Sequence, residues 1–208
     1  MSKAPNRFFR YPLCLWGDTD EKRAKILAHL AAAGYRPVDV SSWWNEWHWN
    51  RAWRNAKDRG DSEAAERLEQ DFGEACLAQL RYDRATLVQW FGRDAPVIAL
   101  GHTVPFFAEV ADRVFGRLVA EGVEFVPLEE ALADPVYDQV AGIVSDKFLV
   151  YQQKLATSFS SISRSSPTPP DGPWPFSLQR FRTSMRGWWR RPQAPSDKRQ
   201  LVARTIIL

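Results

Sequence analysis

DAPVIALGH, residues 94–102, reads as a strand buried on both faces that ends on an imidazole. Val97 to Gly101 carry no polar side chain, and a short apolar run of this kind suits the interior of a parallel sheet. Ligands of open α/β folds bind outside the carboxyl ends of the strands. His102 at that end is therefore either a site residue or a core histidine satisfied by a backbone carbonyl. The run alone does not separate the two.

The flanking segments supply the rest of a βα pattern. DTDEKRAKILAHLAAAG predicts a helix capped by Asp18 or Thr19 and stopped at Gly34, with Ile26, Leu27 and Leu30 at helical spacing. YRPVDV predicts a short strand. NEWHWNRAWRNAKDRG predicts a helix closed by Gly60, and the segment from Asp61 to Gly92 one long helix or two. After the quoted strand, FFAEVADRVFGRLVAEG is amphipathic with Val110, Val114 and Leu118 on one face, VEFVPL predicts a strand, and LEEALAD a short helix. Strand–helix alternation implies a parallel sheet with crossover helices. RFFRYP, near the start, reads as the end of a strand.

The totals of the 208 residues bound the class: 45% hydrophobic and 25% charged is globular, and there is no run of the ~20 apolar residues a membrane span needs. The basic N-terminus lacks the apolar stretch of a signal peptide, so the chain as given is expected in the cytoplasm. The net charge of +3 is uneven. Residues 158–208 hold nine Lys or Arg against two Asp or Glu, and the preceding residues 19 against 23. The expectation is a body over residues 1–157 and a Ser/Pro/Arg/Trp-rich tail over 158–208 that is disordered. FSLQRFRTSMRGWWRRP within the tail mixes cations and aromatics, a composition suited to anionic membrane or nucleic acid.

Candidate chemistry is sparse. His29 reads as an exposed helix residue. Cys14 and Cys76 read as small buried hydrophobes rather than a disulfide or nucleophile. No H-x-x-x-H, G-x-S-x-G, P-loop or G-x-G-x-x-G occurs. The outlier is SSWWNEWHWNRAW, where Trp43, Trp47, Trp49 and Trp53 gather among the chain's 10 tryptophans. Their indoles suit either a core or the apolar faces of sugar rings. Glu46 lies among them, and a carboxylate in that setting needs a partner such as an imidazolium.

In order, RFFRYPL, WWNEW with its W-N-x-A-aromatic continuation, VIALGH and GVEFVPLEEALADPVYD resemble the later motifs of the polysaccharide deacetylase family (NodB homology, carbohydrate esterase family 4). The resemblance covers residues 7 to about 156. It implies an α/β fold, a partial distorted (β/α) barrel of that type. It also implies metal-dependent hydrolysis of the N-acetyl bond of an acetylated amino-sugar polymer or oligomer. By position, His102 is the general acid, Glu46 orients it, and Arg10 holds the catalytic aspartate that serves as base. Pro12, Leu13, Trp47 and Leu100 line the substrate groove, Leu13 offering its N–H to the oxyanion. Trp43 departs from the pattern, standing where the family has an acid.

The family's T-F-D-D and H-x-x-x-H segments, which carry the base and the ligands of a divalent metal, usually zinc, are not found in this sequence. The expectation is a half-domain with no metal site and no activity alone, whose uncovered strand edges favour self-association. The alternatives are a non-catalytic carbohydrate-binding or interaction module, and a protein whose basic tail contacts membrane or nucleic acid.

Overall fold

Thr19 starts the first helix. Its side chain accepts the Lys22 N–H at 3.2 Å, satisfying one donor of the open first turn, and α1 runs Asp20–Ala32. Asp61 does the same for Ala64, and the helix it caps, α3, continues unbroken over Ser62–Phe91, about 45 Å at 1.5 Å per residue. Gly92 ends it at φ 67°, a left-handed conformation that costs glycine nothing. That stop turns the chain into β4, Val97–Leu100.

The computed structural model describes residues 7–138, 144, 149–160 and 203–207, with 156–160 and 203–207 as backbone alone. The remaining elements are β1 Arg7–Arg10, a 3-10 turn Pro12–Cys14, β2 Tyr35–Val38, β3 Ser42–Trp43, α2 Glu46–Asp58, α4 Pro105–Ala120, β5 Val123–Phe125, α5 Leu128–Ala131, a 3-10 turn Pro135–Asp138, α6 Tyr151–Ser160 and β6 Ala203–Ile207. All pairings are parallel, as the alternating pattern implies. β1 and β2 form a two-stranded sheet, and the other strands a four-stranded sheet in the order β3-β4-β6-β5.

β4 organises the core because its side chains alternate. Val97 and Ala99 enter one cluster with Phe72, Leu80, Phe106 and Val114 of α3 and α4. Ile98 and Leu100 enter another with Cys14, Val38, Val40 and Leu132. A strand's period of two sends neighbours to opposite faces, so four consecutive apolar residues serve two cores. Each large side chain so buried contributes about 1.5–3 kcal/mol.

α6 joins the two faces. The Tyr151 N–H donates to Val40 O at 2.8 Å, the Gln152 amide to Ser41 O at 2.6 Å, and the Tyr151 hydroxyl to Val136 O. The first two bonds fix the chain between β2 and β3, the segment that leads into α2, and the third ties α6 to the turn Pro135–Asp138.

The fold is mixed α/β, as the alternating pattern predicts, and its described strands form two separate sheets with no closed barrel among the described residues. α6 runs on to Ser160, and residues 203–207 are a strand inside the larger sheet, where Ala-Arg-Thr-Ile-Ile gives three consecutive β-branched residues. The basic aromatic segment within 161–202 lies outside the described residues. Among the described residues, no helix is long and apolar enough to cross a membrane.

Candidate functional site

Two chain turns meet at the end of β4. Asn45, fully buried and left-handed at φ 58°, bends the chain from β3 into α2, so Glu46 becomes the first residue of the helix. The helix N-terminus favours a carboxylate there. Glu46 is fully buried, and its Oε1 accepts the His102 backbone N–H at 2.8 Å and meets His102 Nδ1. One carboxylate oxygen thus holds both the backbone and the ring of the histidine. The other, Oε2, is buried with no hydrogen-bond partner among the described residues.

With Nδ1 committed to Glu46, Nε2 is the ring nitrogen left for a ligand, and the His102 side chain is 28% exposed. A neighbouring carboxylate on Nδ1 fixes both tautomer and orientation. Trp47, 54% exposed, stands edge-on to the imidazole with ring centroids 5.4 Å apart and planes at 73°. The other side of the turn is tied down as well, since the Asn50 side-chain oxygen accepts the Phe106 N–H at 3.2 Å, linking α2 to the start of α4.

The tryptophans divide between the two roles open to them. Trp44 is fully buried, Trp49 stacks on Phe106, and the Trp53 indole N–H donates to Glu69 at 2.7 Å. Trp43 is half-buried and opposite Leu100 in the β3–β4 register. Of the tryptophans near the histidine, Trp47 is the one that presents a face to solvent.

Arg10, Pro12 and Leu13 form a different turn. Arg10 ends β1, and its charge near the Cys14 thiol opposes the rise that burial imposes there; the aspartate that the resemblance would give it is not in this sequence. Pro12 is exposed, and Leu13 is 68% exposed at φ 53°, followed by Cys14 at φ 54°. Two successive left-handed non-glycine residues carry backbone strain. No hydrogen bond, ion pair or ring contact among the described residues joins this turn to His102. The two meet only through the core cluster that holds both Cys14 and Leu100. Leu100 is itself 1% exposed, so it supports the site from within and forms no wall open to solvent.

The structure adds charged groups that the sequence reading passed over. Lys154 of α6 is buried and donates to both oxygens of Asp39 at 2.8 Å, beneath the Trp16 ring at 4.8 Å. Burial holds the Asp39 carboxyl above its usual range, with Lys154 opposing the rise. Burial, with Asp39 beside it, also pushes the Cys14 thiol up to about 11, so it is no nucleophile at neutral pH. Asp83 of α3 is buried against Gln79, whose amide nitrogen lies 3.0 Å from both its oxygens. Desolvation raises that carboxyl to about 7, with the neighbouring Ser42 and Gln79 side chains opposing the rise. The signal in sequence was a lone Asp between two valines in YRPVDV, while Lys154 in LVYQQKLA follows two glutamines and carries no such sign.

Cys14 and Cys76 are free and buried, and His29 is exposed, as read from the sequence. The divalent metal that the resemblance implies finds no cage: among the described residues no three His, Cys, Asp or Glu side chains converge. His102 Nδ1 is taken by Glu46, and both Asp39 oxygens by Lys154, so the donors present do not fit a metal needing three or four convergent ligands. Compared with protein-family models, curated proteins and solved structures, the chain gives no match.

Proposed function

We propose that the chain is a polysaccharide deacetylase-like protein that recognises acetylated amino-sugar oligomers and carries the acid-and-groove part of a deacetylation site. The observation that supports this reading is the Glu46–His102 pair at the end of β4 with the exposed Trp47 ring beside it. The exposed indole offers a flat apolar face to a pyranose ring. His102, protonated, presents Nε2–H toward the nitrogen of an N-acetyl group. Glu46 holds Nδ1–H and so keeps the ring aimed, the orienting role that a carboxylate plays for a general acid.

The residues described supply no water-activating group for the other half of the reaction. A general acid contributes about 10²–10⁴-fold, well short of enzymatic totals of 10⁶ or more. The proposed activity of this chain is therefore binding, with His102 poised for proton transfer, and no acetate release by the chain alone.

Titration of the full chain with an N-acetylated chitooligosaccharide, followed by tryptophan fluorescence and calorimetry, tests the reading. Saturable binding is expected, weakened about tenfold by Trp47→Ala, which corresponds to about 1.4 kcal/mol. Absence of binding at millimolar sugar, or binding untouched by Trp47→Ala, overturns it.

A further inference from the structure

The order β3-β4-β6-β5 places residues 203–207 between strands that precede them in sequence. β4 and β5 do not pair with each other; each pairs with β6, Val97–Ala99 on one side and Val123–Phe125 on the other. Without β6 they would face each other across a slot one strand wide, about 10 Å from strand to strand. Both walls would then present unpaired N–H and C=O groups, a template for an extended segment.

Two features make β6 separable from its own body. The 42 residues from 161 to 202 lie between α6 and β6 and could extend to at most about 140 Å, well past a domain of this size. A tether of that length gives its strand an effective concentration at or below about 1 mM, falling as the tether lengthens. The pairing is made by backbone groups, so the same five residues from another molecule fit the slot equally well. Concentrated protein therefore sets one copy's strand in competition with another's.

We propose that the β4–β5 slot is a strand-docking site whose second occupant is β6 of another copy of this chain. Reciprocal exchange gives a closed two-fold dimer with no new interface chemistry. Each candidate site then depends on the other molecule. β6 pairs Val97–Ala99 directly before Leu100, Gly101 and His102, so the strand that carries the imidazole is completed by the second copy. This inference does not depend on sugar recognition and stands or falls separately from it.

The test uses the full chain. Light and ¹⁵N-labelled copies are mixed at several hundred micromolar, diluted, and weighed by native mass spectrometry. Mixed-label dimers are expected, and Ile206→Pro, which removes a ladder N–H, should abolish them. A labelled peptide of residues 199–208 should bind the Ile206→Pro chain at least tenfold more tightly than the wild type, whose own strand competes. Wild-type protein that stays monomeric and unmixed up to 1 mM overturns the proposal, as does an Ile206→Pro chain that dimerises like the wild type. Where Ile206→Pro fails to fold, the wild type decides. A tenfold excess of the 199–208 peptide should dissolve the dimer and a scrambled peptide should not; a dimer indifferent to both refutes strand exchange.

Discussion

Replacing Asp83 by Asn should stabilise the protein at neutral and alkaline pH and leave it nearly unchanged in acid. Asp83 is 1% exposed, and the oxygen of the Gln79 amide that faces it, Oε1, is buried without a hydrogen bond among the described residues. The ordinary carboxyl value of 3.8 is raised to about 7 in the fold. A folded value above the unfolded one means that the native state binds the extra proton between those limits. Stability from this group is thus full below pH 4 and declines as pH rises to 7. At about 1.36 kcal/mol per pH unit, the loss approaches 4 kcal/mol at pH 8. Asn carries no charge to desolvate, and its Nδ2–H can donate to Gln79 Oε1, which the carboxylate cannot. Urea unfolding of both proteins at pH 4.5, 6, 7 and 8 measures the difference. With a denaturant slope near ~2 kcal/mol per molar, the midpoints should differ by only about 0.5 M at pH 4.5 and by about 2 M at pH 8. Parallel curves, with the same gap at every pH, would refute the reasoning, because the carboxyl would then not change its ionisation between native and unfolded states in this range.

Glu46→Ala should leave the His102 N–H and ring without their acceptor, costing about 1–3 kcal/mol and releasing the imidazole from a single tautomer; ¹⁵N chemical shifts of the ring report the second effect directly. Lys154→Met should destabilise by about 3–5 kcal/mol, since Asp39 remains buried and unpaired, and adding Asp39→Asn should recover most of that in a thermal melt. Leu100→Ala should cost about 2–5 kcal/mol. Exposed Leu13→Ala should stay within about 0.5 kcal/mol, and equal losses at both positions in urea unfolding would contradict the burial of β4.

The sequence was legible where local rules coincide with global ones. Thr19 and Asp61 mark helix starts by accepting a first-turn N–H, Gly34, Gly60 and Gly92 mark helix ends by their positive φ, and the observed helices obey them. VIAL was readable as a doubly buried strand because both of its faces are covered, and Glu46 was suspect because a carboxylate among indoles needs a partner. What could not be read is what depends on distant pairing. β3 is two residues long and owes its existence to the Ser42–Ala99 and Trp43–Leu100 register. The Asp39–Lys154 pair joins residues 115 apart, and neither carries a local sign of the other. Leu100, which the resemblance sets beside the acetyl methyl, packs with Cys14 of the first 3-10 turn and Val38 of β2, neighbours that no local pattern announces. Arg10, Pro12 and Leu13 were grouped with His102 by resemblance, and the strained turn they form meets it only through the core.

The place of β6 in the sheet also sets a timetable for synthesis. Val97 and Thr205 are neighbours in the ladder but more than a hundred residues apart in the chain. At about 5–20 residues per second, roughly 5–20 s pass between translation of the two. Throughout that interval β4 and β5 can be made, and their helices can pack, while the strand that belongs between them does not yet exist. The nascent chain thus carries open backbone edges through about half of its elongation, which makes β4 and β5 the segments for chaperones to shield and the imidazole at the end of β4 one of the last parts of the molecule to settle.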